Sequence, residues 1–226
     1  MSLKHTWVNP LILLLVLLAS YYISPGKQNP LYSLIHLSYA DPPLNERTIL
    51  PAHIGNVTQY GKGKKDFAFV GFYIIVFTFT REFIMQRIIR PIALYYGIRT
   101  RGKQARFMEQ FYTAIYFAIF GPYGLWVMSR TPVWYFRTAG MYENFPHRAH
   151  EAYFKAYYLL QASYWAQQAV VLMLQLEKPR KDFKELVMHH VVTLTLIGLS
   201  YRFHFVYMGI AVYITHDISD FFLAVG

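Results

Sequence analysis

Five ionisable side chains fall in two neighbouring apolar runs late in the sequence. His189 and His190 are adjacent in the first, and His216, Asp217 and Asp220 lie in the second. Inside hydrocarbon each such group costs about 2.5–3.5 kcal/mol or more, so five within about 32 residues need a chemical reason. An imidazole can take a proton from an amine or attack an acyl carbon directly. A carboxylate facing it fixes its tautomer and raises its basicity. On a helix, His216 and Asp220 are spaced i,i+4 and Asp217 and Asp220 i,i+3, which predicts one shared stripe joined by Tyr213; His189 and Thr193 are likewise i,i+4. His189, His190, Asp217 and Asp220 are therefore the candidate catalytic residues, with His216, Thr193 and Tyr213 in support.

Two other readings compete with acyl transfer. A di-iron lipid oxidase needs about eight histidines in repeated boxes such as H-x-x-H-H, and Leu186 stands where the first histidine of such a box would be. His147-x-x-His150 is another close pair, but the topology below places it on the opposite side of the membrane, so no metal is expected. In the purely structural reading, the polar groups bond neighbouring helices. Two histidines and two aspartates at matched depth favour chemistry over that reading.

The elements that must position these residues follow from composition. Of 226 residues, 55% are hydrophobic, 19% aromatic and 15% charged, whereas an average soluble domain carries about 25% charged residues. The apolar stretches are continuous rather than alternating, which argues for helices over a transmembrane barrel. The expected fold is an all-α polytopic transmembrane helical bundle of about six spans: Thr6–Ile23, Phe67–Gln86, Phe107–Met128, Lys155–Leu176, Leu186–Tyr201 and His204–Gly226. The fifth is short for ~30 Å of hydrocarbon. Residues 1–23 read as an N-terminal transmembrane anchor, with a signal peptide starting at Lys4 and His5 as the alternative. Residues 24–66 read as a lumenal loop, and 67–226 as the catalytic membrane domain. With no cysteine, disulfides, thiolate catalysis and cysteine-held zinc are excluded.

Basic residues set the orientation. Arg87, Arg90, Arg99, Arg101, Lys103 and Arg106 lie between spans two and three, and Lys178, Arg180, Lys181 and Lys184 between spans four and five. Both connections are expected to be cytoplasmic, as is the N-terminus. The formal charge of +10 then fits cytoplasmic loops and anionic headgroups better than nucleic acid. Asn56-Val57-Thr58 is a glycosylation candidate on the lumenal side, although Lys62, Lys64 and Lys65 pull against that topology. The lumenal loop, broken by proline and glycine, is expected to be irregular with one short interfacial helix. The stretch Ser129–Glu151, with Trp134, Tyr135, Phe136, Tyr142 and Phe145, is expected to form an aromatic shelf on the lumenal surface. His5, His36, His53 and His204 read as interfacial or loop residues. Spans five and six form a hairpin through Tyr201–His204. At 1.5 Å per residue, His190 sits ~18 Å before that turn and Asp217 ~20 Å after it, so the two groups share a depth.

The run from Arg180-Lys181-Asp182-Phe183-Lys184-Glu185-Leu186-Val187-Met188-His189-His190-Val191-Val192-Thr193 through Gly209 to His216-Asp217-Ile218-Ser219-Asp220 resembles the signature of the longevity-assurance ceramide synthases, a TLC-type family. Arg106-Phe107-x-Glu109-Gln110 and Lys155-x-Tyr157-Tyr158-Leu159-x-Gln161 are similar to that family too, and the likeness covers about residues 60–226. Tyr60-Gly61-Lys62-Gly63 and the lack of a homeodomain-like insert resemble fungal members. The resemblance implies a multi-pass endoplasmic-reticulum enzyme that N-acylates dihydrosphingosine or phytosphingosine with fatty acyl-CoA. It implies His189 and His190 as the catalytic pair, Asp217 and Asp220 as essential acids, and no cofactor. Arg99, Arg101, Lys103, Arg106, Arg180 and Lys181 are candidates for holding CoA phosphates. A small accessory subunit or a homo-oligomer is a further expectation, alongside the surrounding membrane lipids. Family members continue with further spans and a charged tail, so a C-terminal truncation is expected. The alternative is a non-enzymatic relative that binds lipids or nascent helices.

Overall fold

Hydrocarbon offers no partner to a peptide N–H or C=O, so an apolar run must close its own hydrogen bonds, and a helix does so. The computed structural model describes residues 6–50, 55, 57–134, 137–174 and 183–225. In chain order it contains α1 (Val8–Ile23), the single turn α2 (Tyr32–Ile35), the short strand β1 (Gln59–Tyr60), α3 (Lys65–Ile84), α4 (Arg90–Tyr95), α5 (Arg101–Ser129), the strand β2 (His150–Glu151), α6 (Ala152–Met173), α7 (Phe183–Arg202) and α8 (Val206–Val225). Every expected span is thus a helix. Lys65–Tyr95, Arg101–Ser129 and Val206–Val225 are long and apolar enough to cross a membrane; α1 is apolar but has 16 residues. The chain is a multi-pass α-helical membrane protein. Lys4, His5, His53, Asn56, Tyr135, Phe136, Lys178, Arg180 and Lys181 lie outside the described residues.

Three boundaries differ from expectation. Span two does not stop at Gln86. A π turn at Met85–Ile89 carries α3 into α4, so Arg87 and Arg90 are helical and the link to α5 is only residues 96–100. Arginine and lysine are good helix formers, and their long stems let the charge reach water from a helical backbone. Gly97, with φ of 77°, makes the reversal. Span five also exceeds its apolar run: α7 has 20 residues, about 30 Å of helix. The third difference concerns the segments before α3 and α6, where β1 pairs antiparallel with β2 and ties residues 59–60 to residues 150–151.

α6 is the central helix. It buries Tyr157, Tyr158, Gln161, Ser163, Tyr164, Trp165 and Gln167 among other helices, which explains why so polar a segment can still sit inside the bundle. α5 packs along α8, α3 along α6, and α7 against both α6 and α8. The aromatic core is layered: Tyr116 of α5 stacks on Tyr164 of α6 at 3.5 Å between ring centroids and on Phe120 at 4.4 Å. Two glycines set the closest approaches. A Cβ at Gly124 or Gly209 would meet the hydroxyl of Tyr157 or Tyr158 respectively, so a small residue is needed for α5 and α8 to close on α6.

Two polar clusters hold the ends of the bundle, and neither was foreseen. On the β1–β2 side, Lys155 Nζ lies 2.7 Å from Asp66 Oδ1 and donates to the carbonyls of Ser38 (2.9 Å) and Gly61 (2.7 Å). Tyr201 Oη and the Gly63 amide donate to Asp66 Oδ2 at 2.8 and 2.9 Å. Lys62 donates to His147 O at 3.0 Å and lies 3.2 Å from His204 Nδ1, so it is held by the fold rather than free in a loop. Burial, then the charge of Lys155, pulls the Lys62 ammonium down to about 7, with Asp66 opposing. At the other end Arg81 pairs with Glu82 (2.8 Å) and approaches Glu109 (3.9 Å), linking α3 to α5. Trp134, Tyr142 and Phe145 are exposed.

Candidate active site between helices six, seven and eight

Adjacent residues on a helix point about 100° apart, so His189 and His190 cannot face the same way. His190 is buried with its ring 5.9 Å from that of Trp165. His189 is exposed and meets the edge of the same indole at 6.0 Å; the two imidazoles are 5.7 Å apart. Trp165 is therefore the wall that divides a reachable histidine from an enclosed one. His189 stands six residues inside α7, about 9 Å from its first residue.

His189 opens on a groove of about 510 Å³ between α7 and α8, floored by Tyr158 and Trp165 of α6. Thr193, Tyr213 and His216 line it beside the histidine, and the remainder is apolar down to Phe203 and Phe205. From His189 to Phe203 the wall is about 21 Å long at 1.5 Å per residue. The polar pair on this floor is Tyr158 and Ser200, hydrogen-bonded to each other. Such a slot accepts one extended aliphatic chain, with its reactive end beside an imidazole.

The expected single stripe on α8 is divided. Asp220 is half-buried and lies within electrostatic reach of both His189 and His216. His216 is exposed; its Nδ1 donates to Val212 O at 2.8 Å, because a carbonyl can only accept, and this leaves Nε2 as the acceptor. Asp217 turns towards α6 and is wholly buried. Its Oδ2 accepts from Tyr157 Oη at 3.3 Å and from Gln161 Nε2, and its Oδ1 has no partner among the described residues. Tyr213 bridges the halves: it lines the groove, and its buried hydroxyl is likewise unpartnered. The correction has a simple cause. A stripe of three residues on a 3.6-residue helix is wide enough for one helix to turn its edges towards two different neighbours. Of the two carboxylates, Asp220 is the one within electrostatic reach of His189, whereas Asp217 is held by Tyr157 and Gln161.

Trp165, Tyr157, Gln161 and Tyr116 were missed as site residues. Aromatic and amide residues on a mid-chain helix read as packing, and only the fold brings Gln161 to Asp217 across 56 residues. Of the phosphate candidates, Arg99, Arg101, Lys103 and Arg106 are all exposed around the α4–α5 reversal. His147 and His150 are buried instead on the β1–β2 side, each packed on Tyr207. Burial pushes both below the usual imidazole range. Among the described residues no three His, Asp or Glu side chains gather as a metal-ligand group.

The family described as TLC domain matches residues 106–226, which include most of α5, all of α6 to α8 and the residues that line the groove. Over 98% of its length the chain is 53% identical to a sphingosine N-acyltransferase-like protein, FUM17, of Gibberella moniliformis, covering 56% of that protein. It is 52% identical over 99% of its length to the sphingosine N-acyltransferase lac1 of Schizosaccharomyces pombe, covering 55%. It is 44% identical over 99% to the ceramide synthase LAG1 of Saccharomyces cerevisiae, covering 52%. The chain spans about half the length of the curated relatives it matches. With a histidine pair and two carboxylates around an apolar groove inside the matched segment, and with this likeness to fungal proteins along nearly its whole length, the chain belongs to the TLC-domain family.

Proposed function

We propose that the protein is a ceramide synthase, which joins the acyl group of a fatty acyl-CoA to the amine of a sphingoid base, dihydrosphingosine or phytosphingosine. The observation that carries this reading is the placement of His189 at the polar end of an apolar groove, with Asp220 in attendance. A thioester is activated enough for imidazole to accept its acyl group. In the step favoured here, His189 attacks the thioester carbonyl carbon, the C–S bond breaks and CoA leaves as its thiol. The free amine then attacks the acyl-imidazole carbonyl carbon: the amide C–N bond forms, the acyl–imidazole C–N bond breaks, and the proton the amine sheds replaces the one the ring gave to the thiol, so His189 returns to neutral imidazole. Asp220 orients the ring and balances its charge inside the membrane. His190, Asp217 and His216 complete the polar surroundings, and no cofactor is required because the thioester brings the driving force.

The same reading places Arg99, Arg101, Lys103 and Arg106, with Arg180 and Lys181, at the CoA phosphates on the cytoplasmic side. It places the protein in the endoplasmic reticulum membrane with its N-terminus in the cytoplasm. A small accessory subunit or a second copy as partner belongs to this reading too. The relatives named above support it. The test is N-acyltransferase activity in microsomes from cells lacking ceramide synthase. The chain and a form extended to the length of its relatives would be expressed, each with His189→Ala and Asp217→Ala. Activity lost in both variants is expected. No amide product from a well-folded extended form would move the assignment to a lipid-binding, non-enzymatic membrane protein.

A further inference from the structure

Asp217 sits in a buried hydrogen-bond chain that the reaction above leaves without a task. Gln161 is fully buried on α6. Its Nε2 donates to Asp217 Oδ2 and to Tyr157 Oη (2.9 Å), while its Oε1 accepts from Tyr116 Oη at 3.0 Å. The Tyr157 hydroxyl donates a hydrogen bond to the same carboxylate oxygen. A primary amide has one accepting and one donating end of nearly equal size. Here both neighbours choose the same sense. Turning the amide over would set its carbonyl against a carboxylate and leave the buried Tyr116 proton without an acceptor.

The result is an asymmetric carboxylate. Oδ2 holds two donors, whereas Oδ1 is buried and, among the described residues, has no partner; the same holds for the hydroxyl of Tyr213, which borders the groove and lies within electrostatic reach of Asp217. Leaving such atoms unpaired costs about 1–3 kcal/mol each, and a donor arriving from the groove would satisfy both. An amide donor fits neither: the protein's own donors are spent on Oδ2. A primary ammonium fits both, since it donates hydrogen bonds and brings the opposite charge; Asp217 Oδ1 takes one of its protons, and the free amine then attacks the acyl carbon.

We propose that Gln161 is a positioning residue of the N-acyl transfer: it clamps Asp217 through Oδ2 so that Oδ1, with Tyr213, receives the amine of the acyl acceptor from the groove. The inference rests on the ceramide synthase reading and adds the acceptor subsite to it. Tyr116 sets the sense of the amide, and Asp217 holds the amine while the acyl group stays at His189. The division assigns one carboxylate to each substrate, Asp220 to the acylated histidine and Asp217 to the incoming nitrogen.

The test measures kcat and both KM values in the extended form for the parent, Gln161→Met and Gln161→Glu. Gln161→Met is expected to lower kcat/KM for the sphingoid base by roughly tenfold to a hundredfold, the value of a hydrogen bond to a charged group. Its KM for acyl-CoA should stay within about twofold. Gln161→Glu offers the same shape with a titratable end. As the pH is lowered its carboxyl gains a proton and again donates to Asp217, so activity relative to the parent should recover on acidification. A merely structural glutamine would produce neither the acceptor-only effect nor the acid rescue. Parent-like kinetics in Gln161→Met, or equal damage to both KM values, overturns the proposal. If Gln161→Met fails to fold, Gln161→Glu decides alone: no recovery at low pH in a folded variant overturns it. A parent without activity overturns the function reading, and the acceptor subsite with it, whereas an active parent lost in His189→Ala shows that any failure belongs to Gln161.

Discussion

Removing the Lys155 ammonium should destabilise the bundle as much as truncating a large buried side chain. Lys155 and Asp66 expose 1% and 4% of their side chains and stand 2.7 Å apart. In the Lys155→Met variant the stem is kept and the charge is lost. Asp66 then retains the Gly63 amide and the Tyr201 hydroxyl on Oδ2, but its Oδ1 faces no cation. The Ser38 and Gly61 carbonyls lose their donor at the same moment. Breaking one side of a buried pair costs about 3–5 kcal/mol. For a protein of this size each kcal/mol moves Tm by about 2–4 °C, so the melting temperature should fall by roughly 6–20 °C. The assay is fluorescence-detected size-exclusion after heating in detergent, run on the parent, Lys155→Met, Asp66→Leu and the double variant. Because desolvation opposes a buried pair, the double variant should recover much of the loss, and the coupling across the cycle should reach 2 kcal/mol or more. A single variant that melts within about 3 °C of the parent, or a cycle with no coupling, would refute the claim that this pair ties α3 and the loop before it to α6.

Three further outcomes follow from the same geometry. Asp220→Asn should reduce kcat by roughly a hundredfold or more, because His189 loses the carboxylate that attends it; unaltered turnover would remove Asp220 from the site. Gly209→Val forces Tyr158 into the groove, so a series of acyl-CoAs should show the longest chains losing activity most, and an unchanged chain-length profile would contradict the groove assignment. Lys62 is held at about 7 against an ordinary 10.5, so the unfolded chain binds the extra proton between those values and stability should rise as pH rises through that window. Lys62→Met should flatten the rise in a series of thermal melts, and an identical slope in both proteins would place the effect elsewhere.

The helices were readable because each is an apolar run with polar ends. The same logic failed at Arg87 and Arg90: charge was read as loop, yet a π turn and a second helix carry both residues. The site's composition was readable because histidine and aspartate are expensive in hydrocarbon, and the hairpin arithmetic set their depth from Tyr201–His204 alone. Their facing was not. Spacing of i,i+3 and i,i+4 places Asp217 and Asp220 on one broad side of α8, but which edge meets α6 and which meets α7 depends on how α8 lies between them. Gln161, Tyr157 and Tyr116 stayed hidden for a related reason, since an amide and two phenols have no periodic signature. Lys155 and Asp66 read as membrane-boundary residues, because their partnership spans 89 residues and exists only when the loop folds over α6. The resemblance to ceramide synthases, by contrast, rested on a long contiguous run and survived intact.

The most direct measurement counts both products at once. Protein extended to the length of its relatives, in lipid nanodiscs, would be given acyl-CoA and a sphingoid base, and free CoA thiol and amide product would be quantified in the same sample. The account predicts one amide formed per thiol released, with both reduced to background by His189→Ala. Thiol release without amide, or amide formation that persists in His189→Ala, would contradict it.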